Sequence, residues 1–577
     1  MDPSQPNYRE YQRQAIDAEI KSLEESLRVL KYRRNALAPI SSLPTEVLDT
    51  IFLFARITVS ASSATPGKKT DSLAWLRVTH VCHRWREIAL NQPLLWNHVN
   101  FATLSSAGAA KILARAKTAP LYLETSVLGS HWDNSRYNAF EEELQMCISR
   151  TCHLLISAKS WNLRKILDNL VSPAPTLETL SLSSERQFLH PDVPETLFGG
   201  ATPRLSYLEL RNCNISWTSP LLKSLRYLQV RWPSLNGMPN LSVWLEALGE
   251  MSQLETLILH AASPIATSFP FDVERTATLP SLTHLDITDS PRDCGFALAH
   301  LDLPALTCLC VQTLSCPSDG ENVQEVLPYV AQHIHTQPLQ SMLIRGKKAR
   351  MAILAWLVPD IDAEVHVPPT LPNTTPPPHV ALSIASKDWD RFGNHLEFLR
   401  TVMAALPLDN LITLIAQDFR PPPFEKFWHH NSLKWPLLRR VRLTPVVATK
   451  FMDWLLADEG GCENPLLPSL KEFVLVDAQL NEHRAVGLCD ALMKRVEQGV
   501  PLELLDLRTC SPDPANPGAL QLLSEIVVDV LGPEETLDAR AQIRSMWEHL
   551  DDGAFIKDDD NRDANQLDGE DDDSDSD

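Results

Sequence analysis

The sequence predicts an α/β protein laid out in five stretches. These are an N-terminal helix (1–38), a small all-α domain (39–102), a long array of strand-and-return units (103–512), C-terminal helices (513–550) and a disordered acidic tail (551–577). Three observations carry that expectation. A short template, Leu-x-x-Leu-x-apolar, recurs from residue 176 to residue 507, its first six copies 20 to 29 residues apart. Ahead of the array, apolar residues fall at helical rather than alternating spacing. Behind it, the chain becomes too charged and too poor in apolar residues to bury a core.

Composition narrows function before any motif is read. A chain of 577 residues is too long for one compact core, so several domains or one repeat array are required. Proline outnumbers glycine 43 to 19, which favours rigid turns over the glycine-lined loops of nucleotide-binding enzymes. The formal net charge of −21 argues against a nucleic-acid binder, which needs clustered positive charge to displace counterions. Thirteen acidic residues against Lys557 and Arg562 give −11 for residues 551–577 alone, so the body carries only about half of the acidity. The opening "MDPSQPNYREYQRQ" lacks the apolar core of a secretory signal, and no apolar run approaches the roughly 18 residues that span a bilayer. Eleven cysteines, an odd number without framework spacing, predict reduced thiols inside the cell, in cytoplasm and/or nucleus.

In the first stretch, Ile16, Ile20, Leu23, Leu27, Leu30 and Leu37 alternate steps of four and three, with Arg34 at the one polar position of the series. Charged residues surround this seam. It fits two uses equally: a homodimer through residues 16–37, as a short coiled coil, or packing onto the next domain. Pro39 ends the helix.

The second stretch opens on "ISSLPTEVLDTIFLFARI" (40–57). Pro44 suits a first helical turn, where its missing N–H costs nothing, and Glu46 is favoured there by the helix dipole. Val47, Leu48, Ile51, Phe54 and Ala55 recur at helical spacing and form one apolar face. A polar loop follows, and then a second helix capped by Asp71 or Ser72 and ended by Pro93. On that helix Val78, Val81, Cys82, Trp85, Ile88 and Ala89 share a face, while Arg77, His80, Arg84 and Glu87 point elsewhere. His83 lies roughly 100° around the helix from Cys82, so "HVCH" (80–83) does not gather ligands for a metal or an imidazole over a thiolate. Cys82 reads as a small buried residue and the two histidines as solvated.

"LPTEVLDTIF", "VCHRWREIA" and "PLLW", in that order, resemble the F-box. The match is carried by Leu43, Pro44, Glu46, Leu48, Ile51, Cys82, Trp85 and Trp96. The loop between the helices is longer than in the minimal motif, which is similar to fungal members of the family. The resemblance implies docking: F-box helices insert apolar residues into the Skp adaptor of SCF-type cullin–RING ubiquitin ligases. By position, Leu43, Pro44, Val47, Leu48 and Ile51 would make the adaptor contacts, with Trp85 and Trp96 contributing to the same surface or bracing it.

The third stretch repeats. "TLETLSL" (176–182), "RLSYLEL" (204–210), "SLRYLQV" (224–230), "QLETLIL" (253–259), "SLTHLDI" (281–287) and "ALTCLCV" (305–311) share the template. "PLQSMLI" (338–344), "LLRRVRL" (437–443), "SLKEFVL" (469–475) and "PLELLDL" (501–507) repeat it, and weaker strands at "PLYLETSV" and "CHLLISAK" start the array near residue 120. The periods resemble leucine-rich repeats and imply an irregular α/β solenoid or horseshoe, with return elements such as "VWLEALGEM" and "NVQEVLPYVAQHI". The full nine-residue signature ends in cysteine at Cys213 and Cys510 only. Period-two alternation inside each unit argues for strands over a helical array. "VHVPPTLPNTTPPPHV" (365–380) reads as a loop across the edge of the array.

The alternation turns Tyr207, Glu209, Arg211, Tyr227, Gln229, Arg231, His284, Asp286, Arg440 and Arg442 outward. Tyrosine and arginine suit a recognition face, so Tyr207, Glu209, Arg211, Tyr227, Arg231, His284, Arg440 and Arg442 are the candidates for holding a target protein. Cys308 and Cys310 share that parity and are expected as solvent-facing thiols, because one C-x-C without further ligands is weak evidence for metal. No phosphate-cradling, dinucleotide, zincin, nucleophile-elbow or paired C-x-x-C motif occurs. The sequence-level expectation is a non-enzymatic substrate receptor without cofactor or metal. Its partners would be the Skp adaptor, its cullin-containing ligase and an unidentified target protein, with neither nucleic acid nor membrane among them. A scaffold acting outside any ligase is the alternative.

Overall fold

A computed structural model describes residues 6–532, except 63–72, 127–133, 186–189, 234–237, 267–272, 315–322, 335–337, 348–349, 360, 362–377, 386–393, 418–433, 457–465, 481 and 513–517. The expected helix cap at Asp71 or Ser72, most of the proline-rich break, the last predicted helix and the acidic tail lie outside the described residues.

Helix α1 (Pro6–Ala36) stops short of Pro39 and is followed by a 3₁₀ turn, Pro39–Ser42. Ile16, Ile20, Leu23, Leu27 and Leu30 are all exposed, so the seam does not pack onto the next domain, one of its two expected uses. Helix α2 (Thr45–Ser62) begins directly after Pro44.

The next segment departs from expectation. Instead of one helix ending at Pro93, a 3₁₀ helix (Ala74–His80) and helix α3 (His83–Asn91) are separated by Cys82, which is extended at φ −156°, ψ 170°. The break has a packing cause. Trp75 and Ile88 are both buried in one core, yet thirteen positions on a straight helix would set them about 140° apart. Breaking the helix brings both inward. Trp75 meets Trp96 edge to face at 5.0 Å, and Phe52 meets Trp85 at 5.0 Å.

Seventeen described strands then form one sheet. They are β1 (His98–Asn100), β2 (Leu121–Ser126), β3 (Thr151–Ala158), β4 (Thr179–Ser184), β5 (Tyr207–Arg211), β6 (Tyr227–Arg231), β7 (Thr256–His260), β8 (His284–Asp289) and β9 (Cys308–Leu314). After these come β10 (Ser341–Lys347), β11 (Arg350–Trp356), β12 (Val380–Ala385), β13 (Thr413–Gln417), β14 (Arg440–Leu443), β15 (Glu472–Leu475), β16 (Leu504–Asp506) and β17 (Asp529–Leu531). All ten template copies and both weaker segments are strands. The sheet starts at His98, inside the stretch expected to be all-α, and reaches Leu531, inside the stretch expected to be helical.

From β1 to β9 each strand pairs in parallel with the next. The template leucines point to one side. Leu177, Leu180 and Leu182, and their counterparts Leu205, Leu208 and Leu210, are buried in one core with residues of return segments such as helix Ser160–Asn169. Left-handed residues after three of these strands, Asn212, Trp232 and Ala261, turn the chain away from the sheet. The Asn212 side chain also donates to the Ser184 carbonyl at 2.8 Å.

The parallel order is interrupted once. The chain leaves β9 and runs three places ahead to β10, then returns antiparallel as β11 and again as β12, which fills the gap beside β9. Helix Asn394–Ala405 precedes β13, which pairs in parallel with β10 and restores the order to β17. Here both faces of the sheet are buried. Met351, Ile353 and Ala355 face the main core, while Leu354 and Trp356 join Leu343, Ile361, Ala381 and Ile415 in a second cluster on the other side. The chain at Val358 and Pro359 is tied over that side by hydroxyls of Ser341 and Thr413. Among the described residues no helix is long and apolar enough to cross a membrane.

Candidate functional site

Two surfaces stand out, one on helix α2 and one on the open side of the sheet. Helix α2 is apolar on two sides. Leu48 (0 % exposed) and Phe52 face inward, while Val47 (42 %) and Ile51 (39 %) face solvent, together with exposed Phe54. Pro44 is exposed and Leu43 half-buried at the helix entrance. Arg84, expected off the apolar face of its helix, reaches back and donates to the carbonyls of Ser41 and Leu43, the latter at 2.7 Å. It thereby fixes the turn that presents Leu43 and Pro44.

The expected contact set therefore divides. Leu43, Pro44, Val47 and Ile51 lie on an accessible face. Leu48 and Trp96 (2 % exposed) lie in the interior, where neither side chain can touch a partner, and this corrects the assignment of Leu48 to the contacts. Trp96 donates from its indole N–H to the Ala89 carbonyl at 2.7 Å and carries the Arg115 guanidinium 4.5 Å above its ring. Half-buried Trp85 packs on Phe52, so both tryptophans brace the surface. Sequence reasoning left Phe54 and exposed Val81 out of the contact set, although the helical spacing already aligned Phe54 with Val47 and Ile51.

Residues 40–102 match the F-box-like family model. The F-box-like segment takes in both helices, the 3₁₀ turns and β1. It is joined to the sheet by more than the chain: Asn97 donates from its side chain to the Pro120 carbonyl at 2.8 Å, and the Arg56 guanidinium donates to Asn97 Oδ1 and to the Leu94 carbonyl. Its core residues belong to the same apolar cluster as the sheet's. His80 and His83 are exposed as expected, and His83 approaches Glu87 at 3.4 Å. Comparison with curated proteins gives no match.

On the open side of the sheet, in-register pairing lines the outward residues into rows. One row reads His98, Tyr122, His153, Thr179, Tyr207, Tyr227, Thr256, His284 and Cys308. Within it Tyr122 stacks on His153 at 4.2 Å and Tyr207 on Tyr227 at 4.0 Å. The next row carries Ser181, Glu209, Gln229, Ile258, Asp286 and Cys310. Glu209 accepts from Gln229 at 2.9 Å, from Ser181 at 3.1 Å and from Arg211 at 3.4 Å, while the Tyr227 hydroxyl donates to Gln229 Oε1 at 2.6 Å. Burial first, and the paired phenol second, pushes the Tyr227 hydroxyl well above the usual tyrosine range. Burial lowers Arg231, helped by Arg211 directly across the strands.

Of the expected recognition residues, Tyr207, Glu209, Arg211, Tyr227, Arg231 and His284 thus share one half-buried patch. Arg440 and Arg442 do not join it, because β14 lies six strand spacings from β8, roughly 29 Å along the sheet. There Arg440 pairs with Glu472 at 2.5 Å. The expected solvent-facing thiols are a second correction. Cys308 is 4 % exposed, and its cross-strand partner His284 supplies a third donor beside the C-x-C pair.

Proposed function

We propose that this chain is a non-catalytic substrate-recognition subunit of an SCF-type cullin–RING ubiquitin ligase. The F-box-like segment docks onto the Skp adaptor, and the sheet, read as an irregular leucine-rich-repeat solenoid, holds a target protein for ubiquitin transfer by the ligase's other subunits. The observation that carries the reading is the outer face of α2, where Val47 and Ile51 stand in solvent beside the Arg84-fixed Leu43-Pro44 turn, within the segment that matches the F-box-like model. Interfaces depend on a few apolar anchors of this kind. The half-buried Tyr207, Glu209, Arg211, Tyr227, Arg231 and His284 are the proposed target-facing residues, and Arg440 and Arg442 form a separate contact region. The odd count of eleven cysteines without framework spacing supports a reducing compartment, cytoplasm and/or nucleus.

Co-purification with the Skp adaptor tests the reading. Wild type should bind, and a Leu43→Ala, Pro44→Ala double variant should bind more weakly. Failure of the wild type, or equal binding by the variant, overturns it. A scaffold acting outside any ligase would bind its partners through the sheet without cullin-dependent turnover of them.

The exposed seam of α1 supports a homodimer through residues 16–37 in addition. Its first half carries Asp17, Glu19, Glu24 and Glu25 with one lysine, and its second half Arg28, Lys31, Arg33 and Arg34. An antiparallel pair sets acidic against basic halves at both ends, whereas a parallel pair sets like against like.

A further inference from the structure

We propose that His284, Cys308 and Cys310 bind a zinc ion on the open side of the sheet, leaving a fourth position for water. The register builds the site. His284 is the cross-strand partner of Cys308, so both side chains leave the sheet on one side, and Cys310, two residues on, returns to that side. One ligand atom from each lies within 4.8 Å of the others, the one such cluster among the described residues. The two sulfurs are 3.8 Å apart. Two thiolates bound to one zinc at about 2.3 Å and at the tetrahedral angle also stand about 3.8 Å apart. The pair is therefore set at the separation the ion requires, with no rearrangement of the strand.

The donor chemistry agrees. Two thiolates and an imidazole are a soft set suited to zinc, and they neutralise its two positive charges, so the loaded site carries no net charge into a largely buried position. The Cys310 thiol packs against the second apolar cluster, which keeps bulk water from that side. Asp286, the cross-strand partner of Cys310 and 4 % exposed, adds a carboxylate beside the site, and His260 lies 3.4 Å from it. Loading releases to solvent the protons that the donor set holds.

A Cys308–Cys310 disulfide is the competing chemistry, and the backbone opposes it. Residues two apart on a strand have Cα atoms roughly 6.6 Å apart, at the long limit for a disulfide. Strand β9 cannot easily buckle, because β8 and β12 hold it on both sides. This inference does not depend on the ligase reading and would stand without it.

The test uses the full-length reduced protein, stripped of metal and then titrated with Zn²⁺ against a chromophoric chelator, and in parallel with Co²⁺. Wild type should bind a single ion per chain and give the near-ultraviolet thiolate-to-cobalt band with the visible bands of tetrahedral cobalt. Cys308→Ser, Cys310→Ser and His284→Gln should each lose about 100-fold or more in affinity, while Cys152→Ser, a half-exposed thiol on β3, should match wild type. If a variant fails to fold, alkylation of the wild type decides: Zn²⁺ should protect Cys308 and Cys310 and leave Cys152 unchanged. Absence of binding, an undiminished cobalt band in Cys308→Ser, unprotected Cys308 and Cys310, or a Cys308–Cys310 disulfide in the protein as isolated each overturns the proposal.

Discussion

The two faces of helix α2 allow docking and folding to be separated by substitution. Burying a valine or isoleucine side chain completely is worth about 1.5–3 kcal/mol. Val47 and Ile51 have 42 % and 39 % of their surface still exposed, so covering both by a partner is worth about 2 kcal/mol in total. At about 1.4 kcal/mol per tenfold, the Val47→Ala, Ile51→Ala double variant should weaken adaptor binding roughly 30-fold. Because part of each side chain is already covered within the fold, stability should fall by about 1–2 kcal/mol, less than for a fully buried leucine. Leu48→Ala reverses the pattern. It empties a fully buried site and should cost about 2–5 kcal/mol of folding stability, with the surviving folded fraction binding at near wild-type affinity. Calorimetric titration of the adaptor, together with urea unfolding of each variant, measures both quantities. If the double variant binds within about threefold of wild type, or if it unfolds as readily as Leu48→Ala, the division of α2 into an inner and an outer face is wrong.

Three further outcomes follow from particular contacts. Arg84→Lys should weaken adaptor binding without unfolding the segment, since one ammonium cannot reproduce the fork that serves both the Ser41 and Leu43 carbonyls; titration against wild type reads the loss. Burial, then the neighbouring Asp293, pushes the Asp289 carboxyl up to about 6, against amide donors at Ser290 and Ser263 that favour its ionised form. The folded state therefore holds this proton more tightly than the unfolded chain. The stability of wild type relative to Asp289→Asn should fall as pH rises from about 4 to about 6, by roughly 3 kcal/mol, and stay level above that, as read by urea unfolding across pH. Leu23→Asp with Leu27→Asp should convert a dimer to a monomer in light scattering while leaving adaptor binding unchanged; a wild-type monomer at high concentration removes the dimer from the account.

The sheet was legible wherever one face of a strand is apolar and the other polar, because alternation then reports burial directly. "TLETLSL" and "RLSYLEL" are of that kind. Strand β11, "RMAILAW", and β12, "VALSIA", are buried on both sides, so their apolar runs carry no alternation and the antiparallel interruption went unread. The break at Cys82 was equally hidden. Helical periodicity ran unbroken through it, and only the need to bury Trp75 and Ile88 in one core selects the kink. On α2 the sequence showed that a broad face was apolar but not where core ends and surface begins. For that reason the expected contact set joins Leu48 to Val47 and Ile51, which lie only about 100° and 60° around the helix from it and yet stand in solvent. In the sequence the Cys308-x-Cys310 pair stands alone, because His284, 24 residues upstream, becomes its neighbour only through the strand register.

That register also bears on how docking and recognition would be linked. On the proposed reading, a target held by the Tyr207–Tyr227 patch must sit at a fixed offset from the adaptor, since ubiquitin transfer depends on reach. A flexible tether between the two surfaces would not provide this. Here β1 closes the F-box-like segment and opens the sheet, Asn97 bonds across to Pro120, and one apolar cluster runs from Leu48 through the sheet without a gap. Moving the segment relative to the patch would require opening that cluster, and each large side chain withdrawn from it costs about 1.5–3 kcal/mol. Strain from a poorly placed target would therefore fall on the target or on its contacts with the patch rather than on the junction at β1.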